Sequence, residues 1–261
     1  MQRPLLFSAH PGHELRLYGW LEQTKPAVCF LTDGSGADGV SRASRSDAVL
    51  ESAGAVAGPM YAVASDRTVY AALLEGNAEF FCALARRLGD VIVDGEYAIV
   101  AGDAAEGYNP SHDVARMLID AAVGLARRAG ARVANYAFPV VGHPLEAPPG
   151  TVAEWLAVLL DDATLREKIE RGRAYAHDTG GILVSEVDDA IERFGIEAFR
   201  EERLFAAADG AALDAVFDRA KPFYETYGEQ QVAAGRYAFV LRWADHVRPI
   251  AAALRQLAAA A

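Results

Sequence analysis

The chain has 261 residues, 52% of them hydrophobic, and a formal net charge of -11. That apolar content builds one large core, or one core with a small appendage, and it excludes a disordered chain. A nucleic-acid backbone needs clustered Lys and Arg to displace its counterions, and an acidic chain whose lysines are Lys25, Lys168 and Lys221 does not offer them.

There is no run of eighteen apolar residues to cross a membrane, and the first residues enter a strand without the charged and apolar regions of a signal peptide. The expected location is therefore cytoplasmic, with a small-molecule substrate as partner, no nucleic acid and no membrane; self-association into a homo-oligomer is left open. Cys29 and Cys82 show no disulfide or metal spacing and read as small buried apolar residues.

In chain order, Leu5-Leu6-Phe7-Ser8-Ala9 is an apolar run that stops on His10-Pro11-Gly12-His13-Glu14. It reads as a strand buried on both faces, followed by an amphipathic helix from Glu14 to Gln23 with Leu17, Trp20 and Leu21 inward. His10 ends the strand and His13 sits in the turn, where open α/β sheets bind ligands. A second strand, Ala27 to Thr32, ends on Asp33-Gly34-Ser35-Gly36, which lacks the glycine spacing of a dinucleotide site. The spacing predicts a helix over Ser41 to Gly58, a short strand over Met60 to Ala64 and one long helix over Val69 to Leu88.

A fourth strand, Ala98 to Gly102, ends on a second polar cluster, Asp103 to Asp113. Ser111 reads as the N-cap of a helix over Asp113 to Ala129, which sets His112 in its first turn. A fifth strand, Val133 to Val141, leads to His143. Thus His10, His13, His112 and His143 fall at one predicted rim, and His177 and His246 do not. From Pro148 the chain reads as charge-rich helices over Thr151 to Leu160, Ala163 to Tyr175, Glu186 to Phe205 and Tyr237 to Leu257. Lys221 to Glu229, with poor helical periodicity, reads as a loop folding over the rim. Tyr108, Trp155, Tyr224, Tyr227 and Trp243 are candidates for flat substrate-facing surfaces. The fold class is α/β, a Rossmann-like parallel sheet covered by helices, with residues 1–147 as the metal-site domain and 148–261 as a helical C-terminal appendage on the same core.

Three imidazoles at one rim suit a zinc ion, which takes neutral nitrogens and keeps an open position for water. His10, His13 and His112 are the candidate ligands. Glu106, Asp33 and His143, in that order, are candidate general bases; Glu14 either orients a histidine or marks a helix start, and Asp113 reads as a cap.

The segments SAHPGHE, LTDGSG and NPSHD resemble the three signature segments of the LmbE-like, or PIG-L type, N-acetylglucosaminyl deacetylases, written AHPDDE, LTDGE and HPDH. The resemblance covers about residues 4–143 and leaves the last third unmatched. It implies a metal-dependent hydrolase, usually with Zn²⁺, that removes acyl groups from amino-sugar conjugates on a Rossmann-like fold. By position it implies His10 as first ligand, His13 in place of the metal-binding aspartate and His112 as third ligand. It also exposes departures: Gly12 stands where the family has its base, and Asn109 and Ser111 stand where HPDH has a histidine and an aspartate. The leading expectation is a deacylase with a recruited base. The alternative is a ligand-binding protein that kept the fold and metal site without turnover.

Overall fold

The computed structural model describes residues 3–36, 38–178, 184–208, 217 and 220–260. The first half alternates strand and helix: β1 (Leu5–Ser8), a 3₁₀ turn (His13–Leu17), α1 (Tyr18–Thr24), β2 (Ala27–Phe30), α2 (Ala43–Ala53), β3 (Val56–Ala57), α3 (Asp66–Leu74) and α4 (Ala78–Asp94). Then come β4 (Ile99–Asp103), α5 (Pro110–Arg128), β5 (Ala134–Phe138), β6 (Thr151–Leu159), α6 (Asp162–Asp178), α7 (Val184–Phe194) and β7 (Glu201–Ala207). The last elements are α8 (Phe223–Ala233), a π-helical turn (Trp243–Val247) and α9 (Arg248–Ala259).

One seven-stranded sheet runs in the order β3-β2-β1-β4-β5-β7-β6. The pairs from β3 to β5 are parallel, with Leu6 opposite Val28 on one side and Ala101 on the other. Alternate residues of β1 face opposite ways, as the pleat requires. Leu5 and Phe7 join a core with Leu88, Ile92, Leu118 and Leu254, while Leu6 joins Leu21, Phe30 and Val49 on the other face. Helices cover both faces, so the expected α/β class is observed. The chain winds outward from β1 through β2 to β3, then resumes at β4 on the other side. The crevice between the ends of β1 and β4 is therefore the switch point of the topology.

Several expectations are corrected. β3 lies at Val56–Ala57, and of the segment expected as a strand, Ala64 keeps only a single bridge, to Thr32. Pro59 lacks an N–H, which interrupts the ladder there. The long helix over Val69 to Leu88 is two helices: Gly76 adopts φ +61° and the Asn77 side chain accepts from the Phe80 N–H to start α4. Asn109, not Ser111, caps α5, accepting from the Ser111 N–H at 2.9 Å with Pro110 as the first helical residue.

The C-terminal third is not purely helical. Thr151 to Leu159 is the edge strand β6, and residues after Phe194 turn at Gly195 (φ +78°) into β7, antiparallel to β5 and β6. These strands extend the sheet of the first part, so the two segments share one core. Lys221 to Glu229 is not a loop either: α8 starts just after Pro222. The appendage also reaches back to the first helix. The Glu202 carboxylate accepts the N–H groups of Gly19 at 3.0 Å and Trp20 at 2.7 Å, and pairs with Lys168 Nζ at 2.8 Å. Among the described residues, no helix is long and apolar enough to cross a membrane.

Candidate active site

β1 and β4 end side by side, and the turns that follow bring three imidazoles together. Ring centres lie 5.3 Å apart for His10 and His13, 5.2 Å for His10 and His112, and 4.5 Å for His13 and His112. All three line a cleft of about 1120 Å³. His143, the fourth expected member of this rim, stands away from it: its ring packs on Phe194 and its Nδ1 accepts the Leu145 N–H. His177 is exposed, and His246 Nδ1 accepts the Arg242 N–H within its own helix.

Two aspartates orient two of the rings. Asp103, fully buried at the end of β4, places Oδ2 2.8 Å from His13 Nδ1 and accepts the Ala9 N–H at 2.8 Å. Asp66 lies 3.2 Å from His10 Nδ1, with the Thr32 hydroxyl at 2.7 Å from the same nitrogen. A carboxylate only accepts, so each Nδ1 carries the proton and each Nε2 keeps its lone pair. Burial lowers the His10 pKa, with Asp66 opposing, and holds His112 well below its ordinary value, aided by the neighbouring histidine charges. Burial pushes Asp66 and Asp103 up, but their histidine partners outweigh it and hold both below the usual range. Burial thus disfavours the charged forms of His10 and His112, and carboxylates back His10 and His13.

The donor set suits a divalent metal. Three imidazoles bound through one nitrogen each at about 2.0–2.1 Å, with tetrahedral angles, have ring centres about 5 Å apart. The observed separations match, and His112 Nδ1 is buried without a partner. Among the described residues, no three His, Cys, Asp or Glu side chains already close on a common point. The Ser111 hydroxyl lies against His10 Nε2 at 2.8 Å, where a metal would stand.

That contact also completes a serine–histidine–aspartate chain, Ser111 to His10 to Asp66. It is not arranged for nucleophilic attack. Ser111 is fully buried, does not line the cleft, and its hydroxyl also lies 2.7 Å from Asn109 Oδ1.

The candidate bases are occupied. Glu106 accepts the N–H groups of Val140 at 2.8 Å, Val141 at 3.0 Å and Gly142 at 2.6 Å, clamping the turn after β5. Asp33 Oδ1 accepts the N–H groups of Ser35 and Asp66. Glu14 is fully buried and accepts the Gly12 N–H and the Ser46 hydroxyl, while burial raises its pKa. It therefore braces the turn rather than bonding to His13. Asp113 accepts the Gly107 N–H, and burial pushes its carboxyl up to about 7. Its role is to hold the preceding loop, not to cap α5.

Gly12 explains its own departure. Its backbone has φ +105°, and a Cβ built there would come 2.7 Å from the Tyr175 ring. The space of a side chain is taken by a tyrosine from α6, an element without any motif. Of the aromatic candidates, Tyr108, Tyr224 and Tyr227 line the cleft. Tyr108 stacks on Phe223 with centres 5.0 Å apart and planes 2° from parallel, and Tyr227 continues the row at 5.9 Å. Trp243 is core, packed on Phe217, and Trp155 lies on β6 under Arg203. The cleft also holds Glu186, on α7, which the sequence reading did not single out. It had no signal beyond an acid in a first helical turn.

No protein-family model matches the chain, and no curated protein matches it. Solved structures do. A triple-mutant deacetylase involved in teicoplanin biosynthesis superposes with a TM-score of 0.51 at 15% identity, covering 80% of this chain and 100% of that one. Dbv21, a deacetylase of the pseudoaglycone of the antimicrobial A40926, gives 0.48 at 17% identity over 81% and 99% of the two chains. A zinc-inhibited form of teicoplanin deacetylase gives 0.49 at 12% identity over 79% and 100%. The chain has the fold of the first of these deacetylases.

Proposed function

We propose that the protein is a metal-dependent amide hydrolase that removes the acyl group from a small N-acylated substrate, with amino-sugar conjugates as the first class to test. The observation that carries this reading is the meeting of His10, His13 and His112 at the switch point, with ring separations that suit a three-imidazole metal site. The shared fold with a deacetylase supports the reaction class. A divalent ion such as Zn²⁺, when bound, supplies a Lewis acid for the acyl oxygen and acidity for a water.

The chain's own residues do the rest. Asp103 and Asp66 fix the tautomers of His13 and His10, so each ring keeps its Nε2 lone pair, that of His10 facing the Ser111 hydroxyl. Glu14 and Glu106 hold the two turns that shape its floor. The stacked rings of Tyr108, Phe223 and Tyr227 give a flat wall for a sugar or aromatic body. At about 1120 Å³ the cleft exceeds the roughly 300–1,000 Å³ of ordinary small-molecule pockets, so the substrate's non-reacting part has room beyond a single sugar.

A second reading, binding without turnover, is favoured by Gly12, Asn109 and Ser111, which stand where the resembled family carries proton-transfer groups. One experiment separates the two: elemental analysis of the purified protein, then acid release from a panel of N-acyl amines, including N-acetyl and N-formyl amino sugars with aryl and alkyl substituents. Stoichiometric metal with released acetate or formate supports the hydrolase. Stoichiometric metal with binding but no release leaves the binding protein, and absence of metal after loading with Zn²⁺ refutes the metal site.

A further inference from the structure

We infer that Asn109 is a catalytic hydrogen-bond donor, whose side-chain Nδ2 stabilises the negative charge that gathers on the acyl oxygen when water attacks the acyl carbon. The inference rests on the hydrolase reading above. An amide keeps its protons, so Asn109 moves none, but it can donate a hydrogen bond. A donor aimed beforehand at such an oxygen supplies a large share of the rate of acyl transfer.

Two bonds decide which end of the amide faces which way. The Ser111 N–H can only donate, so the Asn109 atom 2.9 Å from it is Oδ1 and not Nδ2. The Tyr70 hydroxyl donates to the same oxygen at 3.0 Å. Nδ2, on the other branch of the amide, makes no hydrogen bond with any described residue, and Asn109 lines the cleft. Nor is this nitrogen closed off from water, as the partnerless Tyr175 and Tyr224 hydroxyls are. Capping α5 needs Oδ1 alone, and serine, threonine or aspartate would cap as well. The amide nitrogen is left for a ligand.

Distances place the amide at the histidines. The Ser111 hydroxyl lies 2.7 Å from Asn109 Oδ1 and 2.8 Å from His10 Nε2, so a single hydroxyl separates the Asn109 amide from the nitrogen at the candidate metal position. His112 follows in the first turn of the helix that Asn109 caps. The other donors beside the cluster are less prepared. Tyr70 spends its proton on Asn109, the Tyr175 hydroxyl is buried, Arg16 lies over the Phe199 ring, and Arg42 is held by one bond, from Nε to the Gly34 carbonyl. Carboxylates as ions only accept, so Asp66, Glu186 and Asp189 in the same cleft cannot take this part.

The test compares metal-loaded Asn109→Asp and Asn109→Ser with wild type, on an N-acetyl amine of the panel that the wild type cleaves. Asn109→Asp keeps an oxygen for the Ser111 N–H and the Tyr70 hydroxyl and puts a second oxygen where the amide nitrogen was. Asn109→Ser keeps a neutral cap and has no amide. In both, unfolding midpoint and bound metal should match wild type, and kcat should fall about 10²–10³-fold with KM little changed, as for an interaction made only in the transition state. The loss should shrink when acetyl is replaced by trifluoroacetyl, whose electron-poor carbonyl needs less help from a donor; an equal loss on both would mark a structural role and overturn the assignment. Near-wild-type kcat in N109S, a rise in KM with kcat unchanged, or loss of bound metal in both variants overturns it too. A metal-loaded wild type that cleaves nothing on the panel ends the hydrolase reading and this one with it. An active wild type with an equally active N109S ends this one alone.

Discussion

His13 Nδ1 and Asp103 Oδ2 stand 2.8 Å apart, and the aspartate is fully buried. The pair joins the turn after β1 to the end of β4 and decides which imidazole nitrogen is left for the cleft. Asp103→Asn can no longer hold the proton on Nδ1 with the same charge-assisted bond. Metal affinity should drop about 10- to 100-fold with the fold retained, read by chelator competition alongside circular dichroism.

Removing a ring is more severe. His10→Ala, His13→Ala and His112→Ala should each bring bound metal well below half of wild type, because two nitrogens no longer make a stable site. His177→Ala and His246→Ala should keep full metal, since neither ring belongs to the cluster. Full metal in His13→Ala would show that this imidazole is not a ligand.

Gly12 gives a prediction against intuition. Introducing the aspartate of the resembled family with Gly12→Asp should not supply a base, since φ +105° disfavours a side chain and the Tyr175 ring fills its space. The variant should lose about 1–3 kcal/mol of stability and gain no turnover, checked by denaturant unfolding and acid release. A rate increase would mean that Tyr175 yields.

Glu106 has a structural role to be measured. Glu106→Ala removes the acceptor of three N–H groups at Val140, Val141 and Gly142, and should cost about 2–3 kcal/mol. Glu106→Gln, which keeps one carbonyl oxygen, should cost less. Equal stability of Glu106→Ala and wild type would refute the clamp.

Burial pushes the Cys29 thiol up to about 12, against an ordinary value of 9.0. The folded state holds this proton where the unfolded chain releases it, so the contribution is intact below pH 9 and stability falls as pH rises from about 9 to 12. At pH 8 Cys29 should resist alkylation in the folded protein and react on unfolding, as read by mass spectrometry of the labelled chain.

The parallel strands were legible because burial on both faces leaves unbroken apolar runs, as in Leu5–Ser8 and Ala27–Phe30. Their polar stops were legible too, and His10, His13 and His112 meet as their positions implied. β6 was not: its side chains are exposed on both faces for most of its length, so the core imposes no alternation, and Ala, Leu and Glu there suit a helix equally. The occupied state of Glu106 was beyond reach for a different reason. Its partners are backbone N–H groups more than thirty residues away, and a backbone amide has no residue identity to read. Tyr175 shares that difficulty, since it meets Gly12 from a helix whose approach depends on tertiary packing.

Glu202 has a consequence for how the protein comes off the ribosome. The N–H groups of Gly19 and Trp20 wait for a carboxylate 183 and 182 positions later. At about 5–20 residues per second, that is an interval of roughly ten to forty seconds. Until β7 emerges, the Gly19 and Trp20 N–H groups at the start of α1 lack this partner. A nascent chain arrested before Glu202 would already carry His10, His13 and His112, with the helix behind them unsealed. The sealing of that helix is thus timed by the last strand to be made.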